Sequence, residues 1–259
     1  MGVHTDYVTY LRIDDLLNLQ QPLSEGAHDE MLFIVVHQVY ELWFKLILHE
    51  LDAVATALDD QRPHAALPPM RRAVAVEQLL IEQLRVLESM SPDGFMRFRD
   101  PLAPASGFQS TQFREIEALS GAGDPRHLRD AGRSDVQRAQ ISDRLSGRSL
   151  YGALSVAMRG AGFDFPEGDD EPAHGRRLQS LAALYRDHDD AGRAILHELC
   201  EQFVDHDESI ARWRHHHALM AAREIGSRSG TGGSLGVAYL QTTLDRRFFP
   251  ELWEVRNQL

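Results

Sequence analysis

The most apolar stretch of the chain runs from residue 31 to residue 51, and polar residues interrupt it at His37, Glu41, Lys45 and His49. A spacing of four residues places these positions on one slowly drifting face of an α-helix. The other faces are almost wholly apolar, so the pattern predicts a helix that is buried on most sides, like the central member of a bundle.

Apolar residues also recur at intervals of three and four residues elsewhere. This spacing predicts helices over residues 69–90, 111–119 and 149–158, and one or two long helices over residues 179–225, with Gly226 just after the last turn. Residues 121–148 and 160–175, which are rich in charged residues and Gly, are predicted to be loops. Because strand-like alternation is weak throughout, the predicted fold is all-α, with the helices packed as a bundle.

Length and charge restrict the function. With 259 residues, of which 43% are apolar, the chain can bury one large core, and no linker-like segment divides it, so residues 1–259 are predicted to form a single domain. A formal net charge of −12 argues against a nucleic-acid partner, which normally needs a basic face. No segment reaches the ~18 consecutive apolar residues of a membrane span, so no membrane association is predicted.

The single cysteine and the first residues bear on location. Cys200 alone can form neither a disulfide framework, nor a CxxCH attachment for haem, nor a cysteine-based zinc site. The first residues lack a basic segment followed by an apolar one, and the sequence after Gly2 does not match a myristoylation signal. The predicted location is cytoplasmic.

Most of the 13 histidines lie in polar, turn-rich surroundings; the residues predicted to be exposed on this ground are His4, His28, His64, His127, His174 and His188. His37 differs because its helix is so apolar, although a buried histidine is more often structural than catalytic. The run from His215 to His217 cannot bind one metal ion with all three rings, since successive helical residues point about 100° apart. A single helical histidine is, however, a common iron ligand in haem proteins.

Glycines surround Thr231, at positions 230, 232, 233 and 236. They allow backbone conformations that side chains forbid, which favours a mobile loop that can approach a ligand closely. The loop lacks the Lys-Ser/Thr of a phosphate-binding P-loop. The tripeptide Phe98-Arg99-Asp100 is by itself compatible with an ordinary surface salt bridge.

Three segments together resemble the tryptophan 2,3-dioxygenase family: FIVVHQVYELWFK around His37, FRDPLAPASGFQS from Phe98 to Ser110, and SGTGGSLGVAYL from Ser229 to Leu240. The resemblance extends from Tyr10 to the terminal FFPELWEVR. It implies a haem-dependent enzyme that uses O₂ to cleave the C2–C3 bond of L-tryptophan or a close analogue and yields N-formyl-L-kynurenine. It also implies a haem pocket between long helices, with one non-covalent haem b in each subunit.

The resemblance assigns residues to the haem. Trp213-Arg214-x-x-His217, followed by Ile225-Gly226, matches the family pattern that contains the axial iron ligand, so His217 is the expected ligand and Trp213 its neighbour. Ser106 is expected to hydrogen-bond a haem propionate. His37 matches the histidine that faces the indole N–H, and a neutral imidazole there accepts that hydrogen bond and positions the ring, with proton abstraction optional.

The resemblance also assigns residues to the substrate. Arg99 is expected to bind the carboxylate through two hydrogen bonds, and Thr231 to contact the ammonium and carboxylate from a closing lid. Phe33 lies one helical turn before His37 and packs on the indole, and Phe95 stands in the same pocket.

The first 20 residues form an N-terminal arm. Within it, Tyr7 and Tyr10 match tyrosines that reach a neighbouring subunit's site in this family. The resemblance therefore implies a homotetramer with intertwined arms.

Differences from the family leave alternatives open. Phe95 stands where tyrosine is common, Leu235 replaces a small residue in the lid, and Leu84 stands where an aromatic residue is common. These differences are compatible with a specialised relative that oxygenates a substituted tryptophan or inserts one oxygen atom, since an apolar pocket discriminates a methyl group by only ~1–3 kcal/mol. A non-catalytic haem sensor is a further alternative, although it would need neither Arg99 nor Thr231.

Overall fold

A computed structural model of the chain describes residues 5–130, 132–187, 189–232 and 235–259. Regular secondary structure in these ranges is entirely helical, which confirms the all-α prediction. The α-helices are α1 (Tyr7–Leu11), α2 (Ile13–Leu17), α3 (His28–Asp59), α4 (Pro63–Leu87), α5 (Pro92–Leu102), α6 (Thr111–Leu119), α7 (Asp135–Ser146), α8 (Leu150–Gly160), α9 (Glu171–Arg186), α10 (Ala191–Ile225), α11 (Val237–Gln241) and α12 (Pro250–Glu254). Three 3₁₀ turns span Gly107–Gln109, Pro125–Arg129 and Val255–Gln258.

Three long helices form the centre of the molecule: α4 packs along both α3 and α10. Their facing sides bury large apolar residues, among them Ile47 and Leu51 on α3, Leu80 on α4 and Phe203 on α10. Each such side chain stabilises the fold by about 1.5–3 kcal/mol when it is removed from water. The long helices therefore provide a rigid frame for the residues that point between them.

Helix α3 confirms the predicted apolar helix and extends it at both ends. The prediction that this helix is buried on most sides is, however, wrong for its N-terminal half, where Met31, Val35 and Leu42 are 43%, 40% and 50% exposed. These residues follow one another at helical spacing, so they form one apolar stripe on the surface of this chain. By length and composition alone, α3 is also the one described helix that could cross a membrane, a test that core helices of other proteins pass as well.

Two predicted helix boundaries differ from the observed ones. Helix α4 begins at Pro63, and Pro68 and Pro69 lie inside it although the sequence suggested that they mark its start. Each proline removes a hydrogen bond from the helix, but Ala66 and Met70 in the same turns are completely buried and hold the helix in place. The segment over residues 179–225 lies in two helices, α9 and α10, and α10 ends at Ile225, followed by Gly226, whose φ is 58°.

The prediction of a loop over residues 121–148 is wrong, because it contains a 3₁₀ turn and α7. Ser134 caps α7 by accepting a hydrogen bond from Gln137 N while the Gln137 side chain accepts one from Ser134 N. Such a capping box forms an N-terminus that apolar periodicity does not reveal. The exposed connection before α9 is shorter than predicted, since α9 begins at Glu171.

One of the histidines predicted to be exposed is buried. His127 is only 6% exposed, and its Nδ1 donates a hydrogen bond of 3.0 Å to Asp130. The polar neighbours of His127 in the sequence therefore gave no indication that the fold buries its side chain. His28 and His64 are exposed as predicted and His174 is half-buried, whereas Gly2, His4 and His188 lie outside the described residues.

Candidate functional site

A cavity of about 230 Å³ lies between α3, α4, α5 and α10, and residues 106–110 and 229–236 form further parts of its wall. Most of the predicted site residues line it: Phe33, His37, Phe95, Arg99, Ser106, Trp213, His217 and Thr231. The fold thus brings together residues from segments that are far apart in the sequence. Mostly apolar walls with a few polar groups are typical of a small-molecule site.

His37 enters the cavity from α3 with a defined tautomer. Its Nδ1 donates a hydrogen bond of 2.7 Å to the carbonyl of Phe33, one turn earlier. The other ring nitrogen, Nε2, then carries the lone pair in the neutral ring and can accept a hydrogen bond. The pKa of His37 is lowered, chiefly because burial disfavours the charged ring. His37 is therefore a neutral acceptor rather than a positive charge.

His217 enters the same cavity from α10. Burial lowers the pKa of His217 to about 4, and the proximity of the His37 ring, which disfavours a second charge in the same cavity, contributes to the shift. The ring of Trp213 stacks on His217 with a centroid separation of 5.2 Å and parallel planes. Among the described residues, His215 and His216 do not line the cavity, so one ring of the triplet faces it, as the helical geometry requires.

These residues fit a haem. A neutral imidazole nitrogen is the donor that haem iron takes from histidine, and His217 keeps its ring neutral without a hydrogen bond from any described side chain or main-chain group. Apolar residues of α4 and α10, including Leu84 and Met220, provide the walls that a porphyrin ring packs against. No group of three or more His, Cys, Asp or Glu side chains that could hold a metal ion by themselves is found among the described residues.

Arg99 lies on α5, so the Phe98-Arg99-Asp100 segment is helical. One guanidinium nitrogen, Nη2, donates a hydrogen bond of 2.7 Å to the carbonyl of Ser229. The Nε atom is buried and has no hydrogen-bond partner among the described residues. Because Asp100 is 3.7 Å away and 92% exposed, it provides only a weak ion pair.

Residues 229–232 lie over the cavity. Thr231 Oγ1 donates a hydrogen bond of 2.6 Å to the carbonyl of Ala105, and Gly232 is so close to Ser106 that an added Cβ would lie 2.7 Å from the Ser106 Cβ. Gly236 has a φ of 59° and passes close to the Arg228 carbonyl, so this position requires glycine. The predicted loop residue Gly233 lies outside the described residues.

Aromatic rings form one end of the cavity. Phe33 packs on His37 with a centroid separation of 4.0 Å, and it also contacts Phe95 at 5.9 Å. Phe95 and Phe98 meet edge to face at 5.3 Å. Such an arrangement can hold a flat aromatic ligand by apolar contact and edge-to-face packing.

The three differences from the family pattern fall in different places. Phe95 and Leu84 are buried and line the cavity. Leu235 is 78% exposed and does not line it. The Leu235 side chain therefore does not shape this cavity in the described structure.

Ser106 stands at the rim beside the lid and begins the 3₁₀ turn Gly107–Gln109. Its Oγ accepts a long hydrogen bond of 3.4 Å from Phe108 N. The hydroxyl hydrogen remains able to donate, so Ser106 can bind a carboxylate oxygen.

Tyr7 and Tyr10 are not brought to the cavity of their own chain. Both lie on α1, where they are 73% and 74% exposed. The segment that follows α2 rests against α3, where Gln20 and Gln38 form a side-chain hydrogen bond of 2.5 Å. The N-terminal tyrosines are therefore presented to the outside of the subunit.

Sequence reasoning missed several lining residues that helical spacing could have revealed. Tyr40 and Phe44 lie three and seven residues after His37 on the same face of α3, and Met220 and Glu224 bear the same relation to His217 on α10. The Tyr40 hydroxyl donates a hydrogen bond of 2.7 Å to the Leu80 carbonyl, which fixes that wall.

Glu224 is an unusual member of this wall. It is 5% exposed, and neither carboxylate oxygen has a hydrogen-bond partner among the described residues. Burial raises the pKa of Glu224, and the nearby Glu88 adds to the shift. An unpaired buried carboxylate destabilises a fold.

Comparison with known proteins identifies relatives over nearly the whole chain. A family model described as tryptophan 2,3-dioxygenase matches residues 2–141 and 173–259. The chain is 42% identical over 264 positions to a tryptophan 2,3-dioxygenase of Nocardioides sp., covering 100% of this chain and 96% of the relative. It is 40% identical to that of Herpetosiphon aurantiacus over 98% of both chains, and 36% identical to that of Bacillus anthracis over 100% of this chain and 96% of the relative.

Proposed function

The chain belongs to the tryptophan 2,3-dioxygenase family, and from this premise we propose how its cavity performs the family's reaction. The protein is a haem-dependent dioxygenase that acts on L-tryptophan. In the proposed reaction the C2–C3 bond of the indole ring breaks, each of these carbons receives one atom of O₂, and the product is N-formyl-L-kynurenine.

The observation that carries the proposal is the pair of neutral histidines, His37 and His217, on the wall of one cavity. We propose that His217 would hold the iron of a non-covalent haem b, one per subunit, with Trp213 stacked on its imidazole. The haem supplies the activation of O₂ when it is bound. Ser106 is assigned to a haem propionate, because its hydroxyl can donate to a carboxylate at the rim.

Arg99 and Thr231 are assigned to the amino-acid end of the substrate. The unpaired Nε of Arg99 lies beside Nη2, and these two donors match the two oxygens of a carboxylate. The Ser229 carbonyl accepts one N–H of Nη2, and the second N–H of that nitrogen remains able to donate. The guanidinium can therefore bind the carboxylate while it holds the segment that contains Thr231, which is assigned to the ammonium and carboxylate groups.

His37, Phe33 and Phe95 are assigned to the indole ring. Since His37 Nδ1 donates to the Phe33 carbonyl, Nε2 accepts the hydrogen bond of the indole N–H and fixes the rotation of the ring. The phenylalanines pack against the apolar part of the indole and exclude water. The contribution of these residues to the rate is positioning, which brings C2 and C3 to the reacting oxygen.

We further propose that the single domain assembles as a homotetramer in which the N-terminal arm reaches a neighbouring subunit's cavity. Two features support this proposal: the exposed tyrosines of α1, and the apolar stripe of Met31, Val35 and Leu42 on α3. Light scattering of the purified protein measures the mass directly. A monomer would contradict the proposed assembly, and unaltered kinetics of Tyr10→Ala would contradict the role of the arm.

A cytoplasmic location is also proposed. The one cysteine, Cys200, is buried and free, and burial raises the pKa of its thiol to about 12. A single buried cysteine cannot form a disulfide within the chain, which agrees with a reducing compartment. Fractionation of the source cells with an antibody against the chain tests this location, which recovery outside the cytoplasmic fraction would contradict.

Reduction of the protein without O₂, followed by addition of O₂, tests the proposed reaction. The purified protein is reduced without O₂, L-tryptophan is added, and O₂ is then admitted while the optical spectrum and product mass are recorded. A Soret band with a product heavier by two oxygen atoms is expected. A product with one added oxygen, turnover of a substituted tryptophan only, or a Soret band without turnover would each contradict the assignment in a different way.

A further inference from the structure

Arg133 lies outside the cavity, in a stretch of sequence that carries no recognisable motif, yet its side chain is only 1% exposed. Its guanidinium donates to main-chain carbonyls on both sides: Nε to His127 at 3.0 Å, Nη1 to Gln109 at 3.2 Å and Nη2 to Phe108 at 3.2 Å. Nη1 also donates to Thr111 Oγ1 at 3.2 Å. One buried side chain thus binds main-chain carbonyls of two 3₁₀ turns, Gly107–Gln109 and Pro125–Arg129.

The turn Gly107–Gln109 that Arg133 binds is part of the cavity wall. Ser106, Gly107, Phe108 and Ser110 all line the cavity, and the Phe108 and Gln109 carbonyls that Arg133 holds belong to the 3₁₀ turn between them. Carbonyls at the end of a helical turn lack partners within the turn. The guanidinium supplies those partners, so it fixes the turn without touching the cavity.

Charge pairing does not explain this position of Arg133. The one carboxylate that it contacts among the described residues, Asp130, lies at 3.3 Å and is 33% exposed. The remaining acceptors are neutral and point to the flat fork of the side chain. Lysine carries the same charge but has three donors on one atom, and therefore cannot bind several carbonyls that lie apart.

The wall and the lid are in close contact, so the position of one affects the other. Gly232 packs on Ser106 with no room for a Cβ, and Thr231 donates to the Ala105 carbonyl next to it. A displacement of the turn by a few tenths of an ångström therefore moves the hydroxyl of Ser106. It also moves the seat of the lid, by which we mean the Ala105 carbonyl to which Thr231 donates and the Ser106 surface on which Gly232 packs.

We infer that Arg133 is a positioning residue for this site: by binding the Phe108 and Gln109 carbonyls it holds Ser106 and the seat of the lid where haem and L-tryptophan are bound. The inference rests on the proposed function for the identity of both ligands. Arg133 itself contacts neither ligand and acts through the turn.

Arg144 provides a matched control. It is an arginine on the neighbouring α7, it is 28% exposed, and it bridges Asp52 and Glu115 with hydrogen bonds of 2.5 to 3.3 Å. Neither carboxylate lines the cavity. Arg144→Met therefore removes a bridging arginine of the same region without releasing the wall.

The test compares Arg133→Met, Arg133→Lys and Arg144→Met as purified haem-containing protein. It measures the Soret absorbance per chain, L-tryptophan binding by calorimetry, kcat, KM and the melting temperature. For both Arg133 variants we expect kcat/KM to fall about 10- to 100-fold, mainly through KM, because a small misplacement costs that much. Arg144→Met is expected to lower the melting temperature while kcat/KM stays within about twofold of the parent.

Rescue provides a readout that general destabilisation does not give. Arg133→Ala leaves a cavity of guanidinium shape, and added methylguanidinium is expected to restore L-tryptophan affinity, whereas methylammonium at equal concentration is not. Arg133 variants that keep the parental KM and haem content would overturn the inference. If Arg133→Met does not fold, Arg133→Lys becomes the deciding variant. Parental kinetics in Arg133→Lys would show that the planar guanidinium is not needed, which would overturn the inference.

The two proposals fail in distinguishable ways. If the parent protein makes no N-formyl-L-kynurenine, the proposed function is wrong whatever the variants do. Haem content and L-tryptophan affinity of the parent, Arg133 and Arg144 variants still decide whether Arg133 positions the wall.

Discussion

Arg99 donates a hydrogen bond of 2.7 Å to the main-chain carbonyl of Ser229, 130 residues later in the chain. This contact joins the residue assigned to the substrate carboxylate to the segment assigned as its lid. The Ser229 carbonyl accepts one N–H of Nη2, and the Nε of Arg99 has no hydrogen-bond partner among the described residues. The guanidinium therefore holds the lid segment while donors for a carboxylate remain.

Replacement of Arg99 by alanine is expected to lower kcat/KM by at least about 10²-fold, because a bidentate charged contact is lost. KM should rise as well, and indole-3-ethylamine, which lacks the carboxylate, should no longer be discriminated from L-tryptophan. Steady-state kinetics with both compounds check this. Near-normal kinetics of Arg99→Ala would remove the arginine from its assigned role.

Replacement of His217 by alanine is expected to abolish haem retention, since the proposed site offers this imidazole as its sole iron ligand. The Soret absorbance per chain measures haem content. His216→Ala is the matched control, because His216 is the preceding residue and does not line the cavity. Full haem occupancy in His217→Ala would show that another residue holds the iron.

His37→Ala is expected to retain haem and lose most of its turnover, because the acceptor for the indole N–H disappears. Loss of haem from this variant would show that the roles of His37 and His217 are exchanged. Optical spectra and kcat of the same preparation separate the two outcomes.

The pH dependence of turnover follows from the lowered pKa of His37, which burial keeps below the ordinary 6.5. The fall of kcat/KM that protonation of His37 causes should therefore be centred in the interval below pH 6.5. The unfolded chain binds the proton more readily in that interval, so His37 makes the free energy of unfolding decrease as the pH falls through 6.5. A decline of kcat/KM that begins above pH 7 would contradict a neutral, buried His37.

Gly232→Ala is expected to raise KM for L-tryptophan about tenfold, because the new Cβ would lie 2.7 Å from the Ser106 Cβ and prevent the lid from seating. Gly175→Ala in α9 is the control, since its Cβ meets nothing within 4 Å. That replacement should leave KM unchanged and stabilise the helix slightly. Equal kinetics of the two variants would show that the lid does not close against Ser106.

Glu224→Leu is expected to raise the free energy of unfolding of the haem-free protein by about 1–3 kcal/mol, because it removes a buried carboxylate that has no hydrogen-bond partner in the part of the chain that the structure describes. Glu30 is the control: it is equally buried, but its two oxygens accept hydrogen bonds from Leu23 N and Ser24 N. Glu30→Leu should therefore destabilise the protein. Urea titrations of both variants measure the difference, and destabilisation by Glu224→Leu would reveal a partner for its carboxylate.

Features that depend on neighbouring residues follow from the amino-acid order alone. Helical spacing predicted α3, and α6 was predicted at its observed bounds. The side chain at each step of an α-helix turns by about 100°, so the face shared by Phe33 and His37 follows from their numbers alone. The family motifs likewise carried the identity of the fold and of the activity.

Features that depend on contacts between distant residues became visible in the folded chain. The bonds of Arg133 reach back 22 to 25 residues to Phe108, Gln109 and Thr111, and nothing in its local sequence distinguishes it from an exposed arginine. His127 is buried for the same reason. Polar side chains become fixed when a fold covers them and supplies partners, and neither coverage nor partners can be read from composition.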